Sequence, residues 1–190
     1  MFWLILGIII WCDVHFFKRI LPAGRMAMDE KLGAGPAKGV IALLLVISVV
    51  FMIIGYRSMD HLPVYTPISG IGHLNNLLML IAVALMGLGA SKGRARSWLR
   101  HPMLTGVIVW GMAHLLVNGD LASIFLFGGM ILWAIGEMVL INRSEGAWLR
   151  PEPGPASGDI RLAIITIVLF AIIAGIHTAL GYNPFLGTYG

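Results

Sequence analysis

The chain alternates between long apolar blocks and short polar connectors. Six apolar segments stand out, roughly Phe2–Phe17, Gly39–Tyr56, Gly72–Ala90, Met103–Val117, Leu121–Ile141 and Ile160–Leu180. A helix of about 20 residues crosses the hydrocarbon layer of a bilayer. The first and fourth segments are shorter, and local thinning or helix extending past the apolar run meets such a shortfall. Backbone polar groups find no water in hydrocarbon, so each segment is expected to be helical. The pattern predicts an all-α fold, a polytopic membrane helix bundle of about six transmembrane helices. No internal repeat is visible, and residues 1–190 read as a single domain.

The connectors differ sharply in charge. The first holds Lys18, Arg19, Arg25, Lys31 and Lys38, the third Lys92, Arg94, Arg96 and Arg100, and the fifth Arg143 and Arg150, with Arg161 at the edge of the next block. The second holds only Arg57, and the fourth, Asn118-Gly119-Asp120, holds no basic residue. By the positive-inside rule the odd connectors face the cytoplasm, and both termini lie on the non-cytoplasmic side. The first connector has room for a short surface helix around Met26–Leu32. The fifth, "RSEGAWLRPEPGPASGD", is rich in Pro and Gly and reads as irregular.

Composition agrees: 58% of residues are hydrophobic and only 12% charged, with a mean hydropathy of +0.90. Soluble domains carry roughly twice that charged fraction. A net charge of +4 would fit nucleic acid, but the basic residues cluster beside the spans as topology signals do, and no nucleic-acid partner is expected. The single cysteine, Cys12, excludes an internal disulfide framework and a cysteine zinc site. The first apolar block lacks a preceding basic region and is read as a retained span.

Ionisable groups inside spans are costly and mark functional candidates. The predicted topology places His73, His114 and His177 in an outer layer, and His15 and His101, with Asp13 and Glu137, in an inner one. His61 falls in an outer connector. Within the fourth segment Gly106, Trp110, His114 and Asn118 share one helical stripe at four-residue spacing. Trp110 and Asn118 are placed to orient whatever His114 binds, and Asn76 shares a face with His73. Neutral imidazoles from different helices suit an iron porphyrin. A bare metal fits less well, because the outer layer has no carboxylate except Asp120. The alternative is that each histidine hydrogen-bonds a backbone carbonyl or an Asn at a helix interface.

The stretch "LRHPMLTGVIVWGMAHLLVNGDLASIFLFGG" (99–129) resembles the NnrU family of bacterial membrane proteins. The resemblance is carried by Arg100-His101-Pro102, Trp110, Ala113-His114-Leu115-Leu116 and Asn118-Gly119-Asp120. "DVHFFKRILPAGR" near the N-terminus and "GYRSM" after the second block also match. It covers nearly the whole chain and implies a multi-pass protein of the bacterial inner (cytoplasmic) membrane. The family includes plant and cyanobacterial 15-cis-zeta-carotene isomerases, haem b proteins in which two histidines ligate iron. By motif the matching positions are His15, in "DVHFF", and His114, in "WGMAHLL". The resemblance therefore implies haem b on His15 and His114, and Trp110, Asn118, Arg100 and His101 complete the expected cofactor-binding set. Depth disagrees with that pair. His15 lies near the inner face and His114 beyond the midplane, a mismatch on the order of 10 Å by helix rise. Depth favours His73 or His177 as the partner. The plant enzymes carry a cysteine where this chain has Gly111, so a redox-linked change to thiolate ligation is not carried over.

The bacterial branch is associated with nitrite and nitric oxide metabolism. The resemblance thus implies a haem protein of denitrification or a related redox step, with a nitrogen-oxide reductase or a small lipophilic substrate as partner, besides membrane lipid. Three alternatives stand beside it. One is a haem-dependent cis-trans isomerase of polyenes. Another is a non-enzymatic assembly factor for a membrane reductase. The third is a membrane methyltransferase-like protein, because "RHPMLTG" also resembles the Arg-His-Pro-x-Tyr-x-Gly motif that helps hold S-adenosylmethionine, with Leu104 in place of Tyr.

Overall fold

A computed structural model describes residues 1–187 of the 190. Every apolar segment is a helix, and among the described residues there is no strand beyond a single bridge between Pro63 and Asp120. Helix α1 runs Phe2–Ile20 and ends before Pro22, whose ring disfavours helical geometry in the residue ahead of it. Helix α2, Pro22–Leu32, starts on that proline. None of its residues is buried, which matches the expected surface helix and lengthens it. Helix α3 is Ala34–Arg57, α4 is Gly72–Leu88 and α5 is Pro102–Val117, again with proline in the first turn. Helix α6 runs Leu121–Glu145, and α7 runs Ala156–Ala179. Of the stretch expected to be irregular, 143–159, only 146–155 has no helix; Arg143–Glu145 continue α6 and Ala156–Asp159 begin α7.

Three helices, α3, α6 and α7, are long and apolar enough to cross a membrane, not six. Helix α1 carries Asp13, Lys18 and Arg19 within its 19 residues. Helices α4 and α5 have 17 and 16 residues, about 26 and 24 Å at 1.5 Å per residue. The apolar runs predict where the helices lie, and the charges and turn residues shorten what remains.

Contacts between helices arrange them in the order α3–α1–α6–α5–α4–α7, a row with α3 and α7 at its ends. Small residues bring the helices close where no hydrophobic effect drives them together. At Gly55 an added Cβ would lie 2.1 Å from the Leu4 nitrogen, and at Gly7 2.6 Å from the Ser48 carbonyl oxygen. Gly106 does the same between α5 and α4, where a Cβ would come 3.0 Å from the Ala82 carbonyl oxygen. Leu4, Met52, Leu104, Met130 and Trp133 form a buried apolar centre shared by α1, α3, α5 and α6.

These contacts give the row two distinct ends. The connectors at 21–33, 89–101 and 146–155 share one, and they carry most of the basic residues. There the Asp159 carboxylate accepts the backbone amides of Arg94 and Ala95 at 3.0 and 3.1 Å. Arg19 of α1 also pairs with buried Glu137 of α6 at 2.8 Å near this end. The opposite end holds the 58–71 and 118–120 connectors and the C-terminal end of α7.

Candidate functional site

At the end away from the basic connectors, α3, α4, α5, α6 and α7 enclose a cavity of about 930 Å³. Its walls are mainly apolar, and its polar lining includes Tyr56, Asn75, His114, Asn118 and His177. That composition and size are those of a small-molecule or cofactor site. The 182–187 segment after α7 folds over it, turned by Gly181 at φ +88°. Asn76 of α4 donates to the Pro184 carbonyl oxygen at 3.2 Å.

The stripe predicted on α5 forms one wall. Gly106 packs on α4, while Trp110, His114 and Asn118 line the cavity. The His114 Nδ1–H donates to the Trp110 carbonyl oxygen at 2.9 Å, and the ring stacks on Phe127 with centroids 4.4 Å apart. A carbonyl oxygen only accepts, so the proton sits on Nδ1 and Nε2 keeps its lone pair. His177 is arranged alike, with Nδ1 on the Ile173 carbonyl oxygen at 2.8 Å. Asn118 donates to the His114 carbonyl oxygen at 2.9 Å.

Phe127 comes from a π-turn, Ile124–Gly128, inside α6. Such a turn adds one residue to the helix and often marks a functional site. It follows the N-cap made by Asp120, whose carboxylate accepts both the amide and the hydroxyl of Ser123, at 3.0 and 2.6 Å. Burial pushes the Asp120 carboxyl up, but these bonds and nearby His61 outweigh it and hold the carboxyl below the usual range. The 118–120 turn is strapped by the preceding connector. Val64 and Tyr65 donate their amides to the Gly119 carbonyl oxygen, and the single proton of the Tyr65 hydroxyl is shared between the Leu115 and Asn118 carbonyl oxygens. A Cβ on Gly119 would lie 1.9 Å from the Tyr65 carbonyl oxygen, so only glycine fits there.

The other predicted site residues lie elsewhere. His15 is outside the cavity lining, with Nδ1 on the Trp11 carbonyl oxygen at 2.8 Å and its ring against Trp11 and Trp133. His73 is exposed on the first turn of α4 and does not line the cavity, whereas its neighbours Gly72 and Asn75 do. Arg100 and His101 stand at the basic end. Arg100 donates to the Gly146 carbonyl oxygen at 2.6 Å, and His101 Nε2 meets the Asn142 amide oxygen at 2.9 Å. They fasten the start of α5 to the end of α6. The structure therefore brings together His114, Trp110, Asn118 and His177 and leaves His15, His73, Arg100 and His101 apart from them. Among the described residues, no three His, Cys, Asp or Glu side chains gather where a metal ion could sit.

The family model described as NnrU protein matches residues 3–184. The chain belongs to the NnrU family. No curated protein and no solved structure matches it. In this NnrU chain Gly111 lies one turn before His114 on the seam with α6. A Cβ there would meet Ile131 Cγ1 at 2.7 Å and the Phe127 carbonyl oxygen at 3.1 Å. Gly111 is thus used for close helix packing here. Tyr56, Asn75 and the π-turn were not singled out by the sequence patterns. Asn75 had a signal, since an amide within an apolar block must find a partner. The π-turn had none.

Proposed function

We propose that this NnrU-family protein is a multi-pass protein of the bacterial inner membrane, with its basic end in the cytoplasm, that holds haem b in the cavity lined by His114. The observation that carries this reading is the His114 ring, lined up by Trp110 and Phe127 with Nε2 left as a lone pair on an apolar cavity. His177 on the same cavity makes the second imidazole donor. Two neutral histidines, apolar walls and about 930 Å³ fit an iron porphyrin. Hydrogen bonds from the far ring nitrogen to a carbonyl fix the tautomer and raise the basicity of a ligating histidine. Haem supplies redox-active iron when bound, which serves nitrite or nitric oxide metabolism or a related redox step. Around it, Trp110 and Phe127 exclude water, and the Tyr65 strap and Asp120 cap hold the turn that ends α5.

All six long helices cross the bilayer in this reading, with α1, α4 and α5 flanked by neighbours in the row. Local thinning accommodates the 16- and 17-residue helices. The basic connectors share one end, and the positive-inside rule puts that end in the cytoplasm.

The test is a haem titration of the detergent-purified protein followed by absorption. Wild type develops a Soret band and His114→Ala does not. His177→Ala and His15→Ala identify the partner: loss of six-coordinate character in the first supports the cavity pair, and in the second the pair implied by the family resemblance. A protein that stays colourless with ample haem overturns the reading. The apolar lining also favours a second reading, haem-dependent isomerisation of a polyene. An altered isomer profile in cells making poly-cis carotenes supports it, and an unchanged profile with haem-loaded protein refutes it. The engagement of Arg100 and His101 with α6 supports the helix-start role of that motif over binding of S-adenosylmethionine.

A further inference from the structure

Two hydrogen-bonded chains leave the cavity, and both are polarised outward. In the first, Ser123 has one hydroxyl proton, and the Asp120 carboxylate accepts it at 2.6 Å. The 2.9 Å bond between Tyr56 and Ser123 must then be donated by the Tyr56 phenol. Tyr56 Oη is left with lone pairs only. In the second, the Pro184 carbonyl oxygen takes the Asn76 amide N–H, which orients Asn76 Oδ1 towards Asn75. Asn75 therefore donates its own N–H to Asn76 Oδ1 at 3.2 Å. Asn75 Oδ1 is left as a buried acceptor with no partner, on a residue only 8% exposed that lines the cavity.

His114 and His177 follow the same logic, since each spends its one N–H on its own helix. Tyr56, His114 and His177, from three helices, thus line this space with their one O–H or N–H spent elsewhere, and the unpartnered Asn75 amide oxygen lies buried at its wall. Of the donors in the lining, Trp110 brings an indole N–H from α5, while Asn118, Tyr182 and Asn183 come from chain beyond the helix ends, and Asn118 already donates to His114. An unpartnered buried carbonyl costs free energy that a bound donor recovers.

We propose that the cavity selects an apolar molecule bearing a hydroxyl donor, of the phenol class, and that Asn75 Oδ1 and Tyr56 Oη are the acceptors that read it. Tyr56 also lines an adjoining apolar cavity of about 270 Å³ with Trp110 and Leu126, which extends the space for the molecule's apolar part. The inference rests on this cavity being the binding site, and not on what its imidazoles ligate. A ligand that lacks a donor leaves Asn75 unsatisfied, which is how a buried polar site rejects it.

The test is equilibrium dialysis of the purified protein in lipid nanodiscs against 2-naphthol and 2-methoxynaphthalene, each corrected with empty nanodiscs. Naphthol binds about tenfold more tightly than its ether, and Asn75→Leu and Tyr56→Phe each lower that ratio by about threefold or more. Equal affinities for the two compounds, no binding of either above empty nanodiscs, or a ratio unchanged in both variants would overturn the proposal. Asn75→Leu conserves volume, and Tyr56→Phe keeps the ring, so one remains informative if the other fails to fold. Retained selectivity in a protein that takes up no haem sinks the haem reading and leaves this one standing.

Discussion

Gly55 sets the distance between α1 and α3, and Gly55→Ala measures how much the bundle depends on it. The new Cβ would lie 2.1 Å from the Leu4 nitrogen, 2.6 Å from its Cα and 2.7 Å from its Cβ. Ordinary van der Waals contact begins at 3.4 Å, so the gap must widen by about 1.3 Å at the closest atom. The obstacle is largely backbone of a fully buried residue, so no rotamer change relieves it. Overpacking of this kind costs typically 1–3 kcal/mol, and a backbone clash belongs near the top, about 3 kcal/mol. Gly39→Ala on the same helix is the control, because nothing lies within 4 Å of its added Cβ. It is expected to be neutral or stabilising by up to about 1 kcal/mol through helix propensity. The assay is reversible unfolding in mixed micelles followed by tryptophan fluorescence, with the two variants and wild type side by side. Gly55→Ala unfolding at the same denaturant concentration as Gly39→Ala would refute the close approach of α1 and α3.

Removing Arg19 from its pair with Glu137 strands a buried carboxylate. Arg19→Met leaves the buried Glu137 carboxylate without its cation and should cost about 3–5 kcal/mol, Glu137→Gln should cost less because Arg19 keeps Glu145 at 3.3 Å, and the Arg19→Met, Glu137→Leu double variant recovers much of the first loss, read by the same unfolding assay. Asp120→Ala loses the cap of α6 and should cost about 1 kcal/mol. Because the folded state holds the Asp120 carboxyl below its usual value, its contribution is present above the unfolded carboxylate pKa and fades as pH falls through the folded one. Melts between neutral and acid pH should show wild type converging on Asp120→Ala at the acid end. Asp159→Ala frees the amides of Arg94 and Ala95, so limited trypsin digestion should cut faster near Arg94 and Arg96 than in wild type.

The helices were largely legible because long apolar runs between basic connectors have one stable form in lipid. Length and hydropathy alone mark three spanning helices, because Asp13, Lys18 and Arg19 lie inside α1 and because α4 and α5 have only 17 and 16 residues; the other three crossings belong to the proposal. The α5 stripe was legible from spacing alone: four-residue steps put Trp110, His114 and Asn118 on one face, and they line one cavity. Which histidine shares that cavity was not. His177 and His73 both sit at the right depth, but rotation about the helix axis decides which faces inward, and packing sets that rotation. His73 instead lies exposed while Asn75, two residues on, faces the cavity. Arg100 and His101 read as cofactor residues, but the partners that engage them, Gly146 and Asn142, lie over forty residues away in sequence. The polarity of the Tyr56 and Asn75 chains depends on acceptors brought in by three-dimensional contact, and no local pattern announces it.

The account turns on the His114 ring serving as a ligand inside a protein-lined cavity. The most direct measurement is the haem and iron content per chain of protein purified from cells well supplied with haem, wild type against His114→Ala. Close to one haem per wild-type chain and next to none in the folded variant is the predicted result. Equal haem in both, or none in either, would contradict it.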